Sequence, residues 1–254
     1  MTAHILPVNG HISDAIDIVS RALNELNVVY AILGGSACRI LGSVRVTTDV
    51  DLVIALTAAA PSAEALVNIL CQRPEFDTID TFGVKTPAIR FDGAQFPIEI
   101  FDPEQWASQY PQYSRVTQDR VKHTLPSGTV TYTFSVAWLL REKIYAFQQR
   151  GYPGTLKFRT DLSDISFLAS LIDPVEARAG LDFSTESQLQ FLPAVNAFLA
   201  RDDVDSSLRA IVGSLCKTEP SWRDTILRTL SISFWRLVYV SLLPVAILNR
   251  LRGV

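Results

Sequence analysis

One stretch of the chain, residues 28–54, constrains the fold more than any other part of the sequence. It opens with the apolar run VVYAIL at residues 28–33, which two glycines end. A short apolar run stopped by turn residues predicts a buried strand. Residues 36–41, closed by Gly42, predict a short helix, and the run VDLVI at residues 50–54 predicts a second strand. We therefore expect a strand, a glycine turn, a short helix and a second strand in this order.

Two carboxylates lie at the start of the second predicted strand. Because alternate side chains of a strand share a face, Asp49 and Asp51 point the same way, roughly 6.6 Å apart along the backbone. Like charges this close repel each other unless a cation or a proton intervenes. Mg²⁺ is the natural cation, since it prefers hard oxygen ligands and keeps waters and phosphates in its shell.

The glycine turn has properties that complement this acidic pair. Gly34 and Gly35 lead into the short helix and expose backbone N–H groups without side chains in the way. Such groups attract phosphate, and the Ser36 hydroxyl is a further donor. A phosphate cradle joined to a metal-binding pair indicates that the chain handles nucleotides.

A third carboxylate is needed to complete a metal site, and Glu99 is the first candidate. It lies between two isoleucines in the predicted hairpin 88–101, where an unpartnered charge is costly. Asp102 is a rival, although the following proline indicates that the strand ends there. A salt bridge from Glu99 to Arg90 across the hairpin is a second, purely structural interpretation.

The pattern of apolar residues in the rest of the sequence changes near residue 134, from mixed strands and helices to helices. Before it, we expect helices at 12–26 and 61–71, the hairpin at 88–101 and two strands within 114–133. After it, the pattern is helical, with expected helices at 136–149, 160–171, 186–200, 205–216 and 222–230. The expected fold is thus α+β, with a catalytic domain at residues 1–134 and an all-helical domain at 135–254, and the active site in the cleft between them.

These motifs resemble the nucleotidyltransferase superfamily, which includes DNA polymerase beta, aminoglycoside nucleotidyltransferases and AbiEii-type toxins. The glycine turn and Ser36, then Asp49 and Asp51 on a strand, then Glu99 match the superfamily pattern in order and approximate spacing. RVTTD at residues 45–49 resembles the lead-in of minimal members. The resemblance implies a mixed sheet flanked by helices.

Two later segments resemble AbiEii-like proteins. LREKIYA at residues 140–146 is similar to their helix after the sheet, where a lysine, here Lys143, often faces the site. KFRTDLSDI at residues 157–165 is similar to their Arg-x-x-Asp-x-x-Asp helix start, although the nearest basic residue, Arg159, is only two positions before Asp161. The resemblance covers residues 12–171.

The resemblance implies a reaction and roles for individual residues. The chain would move NMP from an NTP to the hydroxyl of an acceptor that is RNA, protein or a small molecule. Two Mg²⁺ ions would be held by catalytic residues Asp49, Asp51 and Glu99. The implied nucleotide-binding residues are Gly34, Gly35, Ser36, Arg45, Thr48, Lys143, Asp161 and Asp164.

Other interpretations of these residues and functions stay open at this point. Lys143, Asp161 and Asp164 are also typical of solvated helix charges, Arg45 of a surface loop, and Cys38 of a small packing residue. The functional alternatives are a catalytically inactive nucleotidyltransferase-fold binding protein and a toxin-like enzyme that modifies tRNA or protein.

The composition of the chain excludes several classes of protein. The net charge is −3, from 23 basic and 26 acidic residues, and no dense basic patch of the kind found in duplex-binding proteins is visible. Three scattered cysteines exclude a disulfide framework. We expect a cytoplasmic protein without a secretory signal. Residues 231–248 are apolar, but Arg236 and Pro244 interrupt them, so a buried helix is favoured over membrane association.

Overall fold

The computed structural model describes residues 9–58, 60, 62–106, 110–150, 152–172 and 185–216. The chain up to Cys216 forms one compact unit. The helix expected at 222–230 and the apolar segment 231–248 lie outside the described residues.

A mixed sheet of seven strands, in the order β3-β4-β5-β2-β1-β7-β6, organises the described part of the chain. It confirms the α+β prediction. The strands are β1 (Tyr30–Ile32), β2 (Val50–Ile54), β3 (Asp77–Thr81), β4 (Val84–Phe91), β5 (Ala94–Phe101), β6 (Arg120–Thr124) and β7 (Val130–Phe134).

The centre of the sheet determines which side chains meet. β1 and β2 run antiparallel, with Ala31 opposite Val53. β2 and β5 run parallel, and Asp51 lies directly opposite Glu99. β5 is therefore the neighbour of the strand that carries Asp51, and the register pairs their acidic residues.

The predicted helices appear in order with shifted ends. The helices are α1 (Asn9–Glu25), α2 (Gly34–Ile40), α3 (Ala63–Leu70), α4 (Pro103–Trp106), α5 (Val116–Asp119), α6 (Val136–Arg150), α7 (Leu156–Leu171), α8 (Thr185–Leu199) and α9 (Ser206–Leu215), with a short 3₁₀ helix at Pro111–Arg115. α2 begins at Gly34, so both glycines lie in its first turn and not before it. The helices at 103–106 and 116–119 and the 3₁₀ helix were not predicted. Strand β3 was not predicted, because DTIDT carries only one apolar residue.

The core lies between the sheet and the helices. α1 packs against β2 and β7, α3 packs against β4 and β5, and α6 packs against α7 and α8. Tyr30, Phe96 and Phe134 are among the largest fully buried side chains. α7 also contacts α2, so it lies next to the helix that carries Gly34 and Gly35.

The change from strands to helices falls where the sequence predicted it. β7 ends at Phe134 and α6 begins at Val136. The division into domains 1–134 and 135–254 itself stays a prediction.

Candidate functional site

Strands β2 and β5 bring three carboxylates to one point. Asp49 immediately precedes β2, Asp51 lies within it, and Glu99 lies in β5. One carboxylate oxygen from each of the three lies within 4.8 Å of the other two. Asp49 and Asp51 are partly buried and Glu99 is exposed. We call these three residues the acidic triad.

Neither rival interpretation of the third carboxylate is supported. Asp102 Oδ1 accepts hydrogen bonds from the backbone N–H groups of Glu104 (2.8 Å) and Gln105 (3.4 Å), so it caps α4. Arg90 Nε lies 2.7 Å from Asp77 Oδ2, so the ion pair of Arg90 is with β3 instead of with Glu99.

The triad carries unbalanced negative charge. Burial, followed by the neighbouring carboxylates of Asp49 and Glu99, raises the pKa of Asp51 from its ordinary value of 3.8 to about 7. Lys143 and Lys157 act in the opposite direction without cancelling the increase. A carboxyl group that resists losing its proton at neutral pH marks a place where a cation would be stabilised.

The two glycines allow the backbone to approach this acidic group. Gly34 has a φ of +58°, and a Cβ atom there would overlap the carboxylate of Asp51. A Cβ atom on Gly35 would overlap the guanidinium of Arg45 and lie 2.7 Å from Thr47 Oγ1. No other residue type fits at these positions without displacing a neighbour.

Two hydroxyl groups hold Asp49 in place. Ser36 is fully buried, and its hydroxyl donates to the backbone carbonyl of Asp49 at 2.6 Å. The Thr47 hydroxyl donates to Asp49 Oδ1 at 2.8 Å. The sequence predicted Ser36 as a phosphate donor, but in this structure its single proton is used to position the triad.

Thr47 was missed by the sequence analysis, which selected Thr48 instead. Side chains two residues apart in an extended segment share a face, so this periodicity connects Thr47 with Asp49. Thr48 is exposed and lines the cavity in front of the triad.

A second group of charges, which we call the ion-pair network, lies beside the triad. Arg45 Nε and Nη2 donate to the two oxygens of Asp164 at 2.6 and 2.9 Å. Lys143 Nζ lies 2.9 Å from Asp164 Oδ2 and 3.6 Å from Asp161 Oδ1. Arg150 donates to both oxygens of Asp161 at 3.2 and 3.4 Å.

The burial of this network excludes the interpretation as solvated helix charges. The side chains of Asp161 and Asp164 are 1% exposed and that of Lys143 is 7% exposed. Burial alone would lower the pKa of Lys143, but Asp164 and Asp161 outweigh burial, so the pKa lies above its usual value. Lys143 therefore stays charged throughout the neutral range.

A cavity of about 330 Å³ opens between the two groups. One wall is the segment from Arg45 to Asp49 together with Asp51, and the facing wall includes Lys143, Lys157 and Thr160. A cavity of about 400 Å³ between α1 and the β6–β7 turn is larger, but none of the three triad residues lines it. Asp49 and Asp51 line the smaller cavity, so we assign the site there.

Lys157 is a cavity residue that the sequence analysis did not select. Arg159, the basic residue considered there, is exposed and does not line the cavity, whereas Lys157 does. Lys157 lies four residues before Asp161 in α7, and residues with this spacing share a helix face. That spacing is the signal that identifies it.

Cys38 packs in the core. Its side chain is buried, and burial, followed by the charge of Asp164, raises the pKa of the thiol to about 12. The thiolate needed for a nucleophile is thus absent at neutral pH, which supports the prediction of a packing residue.

None of the helices in the described part of the chain is both long enough and apolar enough to cross a membrane.

Comparisons with known proteins place this geometry in context. No protein-family model matches the sequence, and no curated protein matches it either. A crystal structure of an antigenic nucleotidyltransferase-like protein from Paracoccidioides brasiliensis is 32% identical, with 79% of this chain and 93% of that chain covered and a TM-score of 0.61. The structure of ANT(2")-Ia in complex with adenylyl-2"-tobramycin is 14% identical, with 74% and 99% covered and a TM-score of 0.44, which is too low to support an argument.

Proposed function

This chain belongs to the nucleotidyltransferase-like family, and from that premise we propose that it is a Mg²⁺-dependent nucleotidyltransferase. It moves NMP from an NTP to the hydroxyl of an acceptor. Asp49, Asp51 and Glu99 are the metal ligands in this proposal. The narrower resemblance to AbiEii-like proteins stays a prediction.

The observation that carries the proposal is the meeting of three carboxylate oxygens within 4.8 Å. Hard carboxylate oxygens suit Mg²⁺, and three protein ligands leave room in an octahedral shell for waters and phosphates. The raised pKa of Asp51 supports the same conclusion, because a divalent cation would balance the charge that burial and repulsion destabilise. When bound, Mg²⁺ neutralises phosphate charge and lowers the pKa of an attacking hydroxyl.

The residues around the triad position the substrate. Gly34 lets the backbone lie against Asp51, and Gly35 lets it lie against Arg45 and Thr47, without a side chain in the way. Asp164 holds Arg45 and Lys143, so both cations are oriented before a nucleotide binds. We assign Thr48, which is exposed on the cavity wall, to contact with the nucleotide.

The proposed reaction is a substitution at the α-phosphorus of the NTP. The acceptor oxygen forms a bond to this phosphorus while the bond from the phosphorus to the bridging oxygen breaks, and pyrophosphate leaves. The acceptor proton passes to a carboxylate or to water. The positions of the fixed cations favour this step, because preorganised charges stabilise the negative charge that develops on the departing group.

The inactive alternative is less well supported than catalysis. A binding protein that had lost activity would be free to lose one carboxylate or to turn it away, whereas all three meet here. A toxin-like enzyme acting on tRNA or protein would use the same site and differ only in its acceptor, so the acceptor has to be found by assay.

The test is transfer of label from each α-³²P-labelled NTP, with Mg²⁺, to RNA, protein and small-molecule acceptors. We expect the variant Asp49→Asn/Asp51→Asn to lose at least about a thousandfold in rate, which corresponds to roughly 4 kcal/mol of barrier. Asp202→Asn, which changes an exposed carboxylate outside the cavity, is the matched control. A double variant that keeps its rate within tenfold of the control would exclude the triad as the active site.

A further inference from the structure

We propose that Lys157 binds the terminal phosphates of the NTP and sets the preference of the site for a triphosphate. The inference rests on the proposed function, and it concerns a residue that the family resemblance does not select. It depends on which cations of the cavity already have partners.

Two of the three basic side chains that line the cavity are neutralised by buried carboxylates. Arg45 makes a bidentate pair with Asp164. Lys143 lies 2.9 Å from Asp164 and 3.6 Å from Asp161. With Arg150, which also pairs with Asp161, the network carries three positive and two negative charges, but each of its cations already has a carboxylate partner.

Lys157 differs from both. It is exposed, it lines the same cavity, and no carboxylate in the described part of the chain lies within ion-pair distance of its ammonium group. It lines this cavity together with Asp49 and Asp51. An unpaired cation in the cavity beside the proposed metal ligands is available to a second anionic part of the ligand.

The chemistry of lysine fits the terminal phosphates. An ammonium group is a compact point charge on a flexible stem with three donors, and it binds a mobile phosphate without the planar geometry that arginine requires. The ligand class is therefore a metal-bound polyphosphate, and the contact is lost when the ligand is a nucleoside monophosphate.

The test measures binding by isothermal titration with Mg²⁺ in excess, using inorganic tripolyphosphate, the four NTPs and the four NMPs as probes. We expect Lys157→Gln to weaken tripolyphosphate and NTP binding by about tenfold or more, the usual effect of one charged hydrogen bond, and to leave NMP binding unchanged. Lys157→Arg should retain most of the affinity. Arg159→Gln, an exposed basic residue on the same helix that does not face the cavity, is the control.

The outcomes separate this inference from the proposed function. Equal affinities of Lys157→Gln and Arg159→Gln for tripolyphosphate overturn the role of Lys157, even if NTP binding still requires Asp49 and Asp51. A wild-type protein that binds no NTP with Mg²⁺ overturns both. An unchanged melting temperature of the ligand-free Lys157→Gln protein shows that the fold is intact.

Discussion

The acidic triad and the ion-pair network both contribute residues to the same cavity, but their charges are balanced in different ways. The triad brings Asp49, Asp51 and Glu99 together with no cation at hydrogen-bonding distance among the described residues. In the network, three basic side chains pair with the buried aspartates Asp161 and Asp164; they are Arg45, Lys143 and Arg150. The first group is electrostatically costly without a ligand, and the second is largely satisfied by its own members.

This difference indicates separate roles for similar residues. Removing a charge from an unbalanced group relieves repulsion, whereas removing a charge from a balanced buried group leaves its partner uncompensated. The triad is therefore expected to serve a ligand at a cost in stability. The network is expected to stabilise the fold and to orient cations for the triad's ligand.

The largest effect on stability is expected from Asp164→Asn. Asp164 is 1% exposed and pairs with both Arg45 and Lys143. Without its negative charge, the buried ammonium group of Lys143 loses its nearest carboxylate partner. We expect the free energy of unfolding, measured by urea denaturation, to fall by roughly 3 kcal/mol or more. Asp203→Asn, which breaks an exposed bidentate pair with Arg201, should change little. Equal effects of the two variants would show that the network does not stabilise the fold.

In protein kept metal-free with EDTA, we expect Asp51→Asn to increase the free energy of unfolding, which is the opposite of the effect of Asp164→Asn. The folded pKa of Asp51 is about 7 and its ordinary value is 3.8, so the folded state keeps a proton that the unfolded state has released. The contribution of this group to stability is complete below pH 3.8 and is lost as the pH rises towards about 7. The variant should gain stability relative to wild type over this interval, on the order of a few kcal/mol.

Urea denaturation at pH 4.5, 6 and 7.5 measures this gain. Glu142, whose pKa burial also raises to about 7, is present in both proteins, but because Asp51 contributes to this rise, part of its titration remains in the difference. Added Mg²⁺ at pH 7.5 should stabilise wild type and not the variant. A stability difference that stays constant with pH would contradict the assignment of unbalanced charge to Asp51.

The smallest effect is expected from Arg45→Lys, which keeps the charge of the network and removes its geometry. A lysine cannot make the two parallel hydrogen bonds that Arg45 makes to Asp164. We expect a loss of about 1 kcal/mol in unfolding free energy and a modest rise in the KM for NTP. Arg21→Lys, at an exposed pair with Asp17, should be neutral. If Arg45→Lys leaves the unfolding free energy and the KM unchanged, the charge of residue 45 alone accounts for the contact.

Local periodicity explains why much of the triad was predictable. Asp49 and Asp51 share a face because strands alternate, and Glu99 stands out because isoleucines flank it. The same reasoning applied to Thr47, two residues before Asp49, and to Lys157, four residues before Asp161, would have identified both.

The sequence predicted several residues of the ion-pair network but not which of them pair with each other. Arg45 and Asp164 are 119 positions apart, and no local period connects residues at that distance. Whether Asp161 and Asp164 face water or a buried lysine depends on how α6 and α7 pack on each other and on the glycine turn. The hydroxyl of Ser36 likewise acquires its role only from the position of the Asp49 carbonyl.

The sequence by itself determined the order of strands and helices around the glycine turn, and it determined that two aspartates emerge from one strand face, because both depend on neighbours a few residues away. Only the tertiary structure decided that Glu99 lies in register with Asp51, that Asp164 joins Arg45 to Lys143, and that Lys157 keeps its charge unpaired. Electrostatic balance depends on distance in space, and distance in space between remote residues is set by packing.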